Sequence, residues 1–524
     1  MGPSLSAIRA SRAQRAQKPK STAASVAAPT GGWNARDALG AMESTDAVTL
    51  ENWWPATTAV ILRFGLSNFA TGLGSQVETV MAYNGPTTSK LFGITTAGKV
   101  YNCTAGGAVG AADLTGLANG RWQYANFTTP ANSYLNMVNG SDVYQVYDGT
   151  AWHKDGDGPP YDITGVTSST LIGINNFKNR LWFVATGSLK AWYLPVNSIG
   201  GAANSLDMSS LCQLGGYLMA MGTWTIDAGY GVDDYAVFIT SNGEVLVWRM
   251  TDPTDPASIF LVGIWRIGSP VGRRCLYKYI GDLLVISQDG ILPLAKALQS
   301  SRTNPRVALT DKIQYAMSTA ITAYGGNFGW QLMHFPKQNQ LYLNVPVSVG
   351  NQQQYVMNTI TGAWCNFTGY NANCFEVYSD NLYFGGNGVV SKGWDTSADA
   401  GQAINAIGLQ AFAYYGAKTQ LKRVSMMRPI IYTNGTPTIS ANVNYDFDLV
   451  NSTAPISLTP TTYATWDSGI WDVAMWGGSV SISMDWQGTT GLGYSIAPRL
   501  NAAANGVEVQ WVSTDLVMES GGIL

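Results

Sequence analysis

The chain has 524 residues, a formal net charge of −3 and only 12% charged residues, against 46% hydrophobic and 11% aromatic. Average soluble proteins carry roughly 25% charge, so the surface is weakly charged, and burial against identical copies or neighbouring proteins is the simplest account of its solubility. The balance excludes a basic, phosphate-clamping nucleic-acid binder, the five scattered cysteines (103, 212, 275, 365 and 374) argue against a disulfide framework and suit a reducing compartment, and no apolar run reaches the roughly 18 residues of a membrane span.

Residues 1–32 read as a separate basic arm. Arg9, Arg12, Arg15, Lys18 and Lys20 precede the first acid, Asp37. Such a segment is either a solvated tail or an arm that orders on an acidic partner or nucleic acid. Its acid-free, Ser/Ala-rich composition resembles a transit peptide, but the chain that follows reads as no organellar enzyme.

From Trp33 the chain becomes globular. After the Trp53-Trp54-Pro55 corner comes an apolar strand, Thr58 to Phe64, and then short runs rich in Tyr, Phe, Trp and Val. Phe92-Gly93-Ile94 with Lys99-Val100-Tyr101, and Phe238 with Val245 to Trp248, read as strand, turn, strand. Asn-Gly or Asp-Gly pairs at 84–85, 139–140, 148–149, 242–243 and 289–290 suit two-residue primed turns. One such unit recurs every 40–50 residues or so, which is propeller-like spacing. The expected fold is all-β: a β-propeller of roughly six to eight blades over 33–395.

One segment departs from this texture. Ile313, Ala316, Met317, Ala320 and Ile321 lie on one helical face after Thr310, with Gly325 just past the end. The spacing predicts a helix packed on a sheet edge. Residues 355–415 return to strand and turn, and after Trp394 longer alternating strands predict a β-sandwich over 396–524. Its insert WDSGIWDVAMWGG gathers Trp466, Trp471 and Trp476, either packed between sheets or forming a carbohydrate platform.

Catalytic chemistry finds little footing. His334 alternates on a strand and His153 adjoins a Lys-Asp-Gly-Asp-Gly loop. Asp155 and Asp157 begin like a calcium loop, but no bidentate Glu follows at the required spacing. Asp233 with Asp234, Asp252 with Asp255, and Asp467 with Asp472 are the carboxylate pairs a glycosidase would need. All sit in turn contexts where Asp serves the backbone. No catalytic or metal-binding residue and no cofactor is expected. Lys418, Lys422, Arg423 and Arg428 form the one cationic cluster of the body, read as a solvated face or as a contact for DNA or an acidic partner.

The order of these elements resembles a known family. GGWNARDALGAMESTDAVTLENWWP, the run from Asp311 through Gly329-Trp330 and Leu341 to Pro346, then MNTITGAWCNFTGY, NLYFGGNGVV, Lys422-Arg423 to Arg428-Pro429 and Glu519 to Leu524 are similar to the tail nozzle of short-tailed bacteriophages, also called tail tubular protein B or packaged-DNA stabilisation protein. The likeness covers roughly residues 31–524 and leaves out the basic arm. It implies a non-enzymatic virion protein of the phage tail, assembled in the host cytoplasm into a homo-hexameric ring below the portal–adaptor complex. That ring would contact tail fibres or other tail proteins, retain the packaged double-stranded DNA and conduct it on infection, without inserting into a membrane. Its gate residues are not assigned by the resemblance. A near-neutral body suits a conduit, because about ten phosphate contacts would hold DNA with steep salt dependence. The rival expectations are a receptor-binding tail protein reading glycans through the Trp-rich insert and a propeller glycosidase.

Overall fold

A computed structural model describes residues 21–227, 232–298, 305–416, 418–449, 454–456 and 481–521. The described chain is almost entirely β and divides into two compact units: 64–402, and a second built from both chain ends, 1–63 with 403–524.

The 64–402 unit is the β-propeller. Seven successive antiparallel sheets, numbered here as blades 1 to 7, are traced among the described residues. Their first strands are 77–84 (within Leu66–Asn84), Gln123–Thr128, Leu171–Phe177, Leu218–Asp227, Leu276–Tyr279, Gln331–Phe335 and Cys374–Tyr378. Each adjoins the next, and Cys374–Tyr378 returns to Leu66–Asn84, so the order closes on itself. The closure is built into one long strand. Residues 66–76 of Leu66–Asn84 pair with Asn387–Gly393 as the outer strand of blade 7, whereas 77–84 pair with Ser89–Thr95 as the inner strand of blade 1. Gly72 and Gly74, at φ +86° and +77°, lie where the strand passes from one blade to the other. Side chains with a Cβ rarely adopt that backbone.

Polar side chains pin every blade to the next near the axis. Asn126 Nδ2 donates to Ala82 O (2.8 Å), Asn176 Nδ2 to Asn126 O (2.5 Å) and Asn175 Nδ2 to Met221 O (2.9 Å). Lys278 Nζ donates to Thr225 Oγ1 (3.3 Å) and His334 N to Tyr277 OH (3.1 Å). Gln331 exchanges two bonds with the Phe375 backbone, and Asn373 Nδ2 closes the circle on Val77 O (3.1 Å). Between these pins, apolar clusters such as Trp182, Phe238 and Trp248 fill the space between adjacent blades.

The Asn-Gly and Asp-Gly pairs mark real turns, but the loops are longer than two residues at most of them. Gly140, Gly149 and Gly243 supply positive φ, yet 85–88 and 148–151 are four-residue connections and 241–243 a three-residue one. Only 288–289, before Gly290, has the expected length. The expected helix is present as a 3-10 turn, Asp311–Ile313, continued by an α-helix, Gln314–Tyr324. Ile313, Met317 and Ala320 are its buried face. Thr310 does not cap it with its side chain; its hydroxyl accepts from Ile291 N (3.2 Å) instead.

The other unit holds two sheets. One orders Ser481–Ser483, Lys422–Thr433, Val509–Ser520, Val60–Leu62 and Trp53–Pro55, and Ser21–Ala27 pairs along Val509–Ser520. The other contains Asp46–Glu51, Ile404–Gln410, Ile496–Ala504, Thr438–Tyr445 and Ala454–Ile456. Gly408 of the second sheet lies against Trp511 and Trp53 of the first; a Cβ there would stand 2.8 Å and 3.3 Å from those rings. The two sheets therefore share a core, and alternate burial along Lys422–Thr433 and Val509–Ser520 is the matching period-two signature. This corrects the expected boundaries. Residues 33–63 belong with the sandwich strands, and the arm of 1–32 ends earlier, since Ser21–Ala27 is a sheet strand. The reason is long-range pairing, Ser21 with Glu519 through Ala27 with Ser513, which no local pattern announces.

Candidate functional site

The first strands of all seven blades line an axial cavity of about 650 Å³. The lining of this cavity is unusually polar for a core and includes Tyr124, Asn175, Lys278, Gln331, His334 and Glu376. Glu376 accepts a short hydrogen bond from the Tyr124 hydroxyl. Glu376 is half-buried in the cavity wall, and burial pushes its carboxyl up to about 7, against the opposing pull of Tyr124 and the Arg274 charge. Burial likewise pushes the Tyr124 hydroxyl well up and the His334 imidazole down.

One mouth of this cavity, where the first strands begin, carries an arginine collar. Arg274 Nη2 reaches across the propeller to Thr79 Oγ1 (2.7 Å) and Trp122 O (3.0 Å). Arg121 Nε pairs with Glu78 (3.0 Å), whose side chain is 8% exposed. Both guanidinium groups stand over the ring of Phe328, at 4.8 Å for Arg121 and 5.1 Å for Arg274. Each contact is favourable because the ring's face carries the negative end of its quadrupole. Arg273 points to the neighbouring side and donates to Asn139 O (2.9 Å). Burial, with the adjacent Arg121 charge, depresses its pKa. Duplex DNA, about 20 Å across on the scale of a 12 Å major groove, does not thread a cavity of this size crossed by side chains.

The expected site residues fall elsewhere. Arg9, Arg12, Arg15, Lys18 and Lys20, and the Trp466, Trp471, Trp476, Asp467 and Asp472 of the insert, lie outside the described residues. Lys418, Lys422, Arg423 and Arg428 do not make one cationic face. Lys422 is buried and donates to Gln420 O (2.9 Å) and Tyr494 O (3.3 Å), while Arg423 is exposed. Arg428 is bound to Asp515 (2.6 Å) and covers the Trp486 ring, and Lys418 lies over Tyr414. Period-two alternation separates Lys422 from Arg423, Asp515 takes up Arg428, and two backbone carbonyls take up Lys422.

The other candidates serve the backbone. Asp155 accepts from Ile163 N and Ser168 Oγ, and Asp157 from Lys154 N. Asp252 and Asp255 accept from Thr254 N and Ala257 N. Asp234 pairs with Lys178 (3.1 Å), and His153 stacks on Tyr161 and contacts Asp148. Cys365 and Cys374 are both buried and form no disulfide with each other, and the Cys365 thiol donates to Val356 O (3.5 Å). No cluster of three or more His, Cys, Asp or Glu that could hold a metal occurs among the described residues. Sequence reasoning missed Arg121, Arg274 and Glu376, which converge from separate blades. The one local signal was the Arg273-Arg274 doublet in a cation-poor chain.

No protein-family model and no curated protein matches the chain. Among solved structures, the crystal structure of BBS1N in complex with ARL6DN is similar at 12% identity, covering 63% of this chain and 96% of that one, with a TM-score of 0.38. The Myceliophteria thermophila Cps50 (Swd1) beta-propeller domain matches at 12% identity over 61% of this chain and 96% of its own, TM-score 0.37. Chaetomium thermophilum Raptor matches at 11% identity over 64% of this chain, which spans 29% of the Raptor chain, TM-score 0.37. These likenesses bear on the fold alone.

Proposed function

We propose that the protein is a non-enzymatic structural component of a short-tailed phage virion, a tail nozzle in which copies of the chain form a ring that holds and then conducts DNA. The observation that carries this reading is the outer strand of blade 4, Ile259–Arg266. Phe260, Leu261, Val262 and Ile264 are exposed along it, Phe260 at 59% and Val262 at 50%. Four large apolar side chains on one outer edge favour a protein contact over a solvated rim, and strand edges are natural sites of pairing between chains. The crossed axial cavity is consistent with a conduit enclosed between subunits rather than within one. The weak overall charge fits a tube that releases its DNA. The exposed positions make a clean test, because Phe260→Asp with Val262→Asp removes apolar surface without emptying a core. Assembly measured by light scattering, alone and with the adaptor protein, is expected to fall in the double variant while the melting temperature holds. Assembly equal to wild type overturns the rim as the contact.

A further inference from the structure

The arginine collar faces a second pocket, of about 370 Å³, beside the axial mouth. Its wall includes Arg121, Arg273, Asn119, Ser141 and the Phe328 ring, and no Asp or Glu. The donors there are left over from the protein's own bonds. Arg273 uses Nη1 on Asn139 O, and its Nε and Nη2 have no protein acceptor among the described residues. Arg121 is tied to Glu78 through Nε and stands over the Phe328 ring. Asn119 spends its Oδ1 on Arg121 N (2.8 Å), which leaves Nδ2 as a donor, and the Ser141 hydroxyl adds another. The nearest acid by sequence, Asp142, is occupied by Ala118 N (2.9 Å) and Asn139 Nδ2 (2.6 Å).

Arg273, with donors to spare, beside Arg121, whose charge Glu78 shares from outside the pocket, makes a concave, donor-rich wall that defines a ligand. A carboxylate offers one charge and two oxygens. A phosphate offers close to two charges and several oxygens, and planar guanidinium forks match it with paired hydrogen bonds. We infer that this pocket is an oxyanion site that takes a phosphate group, either inorganic phosphate or the phosphomonoester of a small molecule. It does not depend on the nozzle reading.

Calorimetric titration of the full chain, at fixed ionic strength in a chloride buffer, tests it. Inorganic phosphate and glycerol 3-phosphate are the two probes, and tighter binding of one identifies the source. Saturable binding of either is expected, weakened about tenfold or more by Arg273→Gln and by Arg121→Gln, the scale of a lost charge-assisted bond. Ser141→Ala is expected to weaken it a few-fold and leaves both arginines in place should an arginine variant fold poorly. Circular dichroism checks each fold. No saturable binding by about 20 mM, far above the scale of a paired charged contact, overturns the assignment. So does binding untouched by all three variants, equal binding of glutarate, or tighter binding of duplex DNA through the same arginines.

Discussion

Glu376 makes the propeller's stability depend on pH in a direction that can be worked out. Its carboxyl moves from an ordinary 4.5 to about 7 in the folded chain, chiefly through burial. Tyr124 and Arg274 contact or face it, and Lys278 and His334 share the cavity wall. A group that binds its proton more tightly when folded stabilises the fold at low pH. That stabilisation is complete below about pH 4.5, declines as pH rises towards 7, and is gone above it. At 1.36 kcal/mol per pH unit the full span is about 3 kcal/mol. Glu376→Gln keeps an acceptor for the Tyr124 hydroxyl and carries no charge at any pH. Urea unfolding of both proteins at pH 5, 6.5 and 8 is the assay. The variant is expected to exceed wild type by only about 1 kcal/mol at pH 5 and by up to about 3 kcal/mol at pH 8. A difference that stays constant across that range refutes the reasoning. Wild type being the more stable at pH 8 refutes it too, since the ionised carboxylate would then be held by Arg274 at net gain.

Two further outcomes follow from the sandwich unit. Trp511 is fully buried beside Trp53, ring centroids 6.0 Å apart, and its indole donates to Thr514 Oγ1 (3.0 Å); Trp511→Ala is expected to cost about 3–5 kcal/mol, read as a lower urea midpoint for this unit. Compared with deleting residues 1–20, deleting 1–32 also removes Ser21–Ala27 and several ladder bonds worth about 1 kcal/mol each, and is expected to lower the melting temperature. Thermal melts of the two truncations check this, and assembly of the shorter one with the adaptor is the fair test of the basic arm, because it leaves the sheet intact.

The sequence carried the propeller's texture and not its closure. Aromatic-rich alternation and glycine turns are local, so Phe238 with Val245 to Trp248 reads correctly as a hairpin without any partner in view. The helix is local too, and its apolar stripe through Met317 and Ala320 is legible. Leu66–Asn84 is different. That one strand serves two blades is a fact about Asn387–Gly393, some three hundred residues away. Ser21–Ala27, with small polar residues and one buried valine, carries no signal of the strand it joins. The site failed to show for the same reason. Arg121, Arg274, Phe328 and Glu376 come from four linkers or strands, and only the closed ring brings them to one mouth. Conversely, the Lys418 to Arg428 cluster is dense in sequence, but strand alternation and Asp515 disperse it.

The most direct measurement is the mass and symmetry of the purified full-length protein by negative-stain microscopy, with and without its adaptor. The nozzle account predicts sixfold rings, or sixfold assembly that appears only on the adaptor. A stable monomer or trimer indifferent to the adaptor contradicts it.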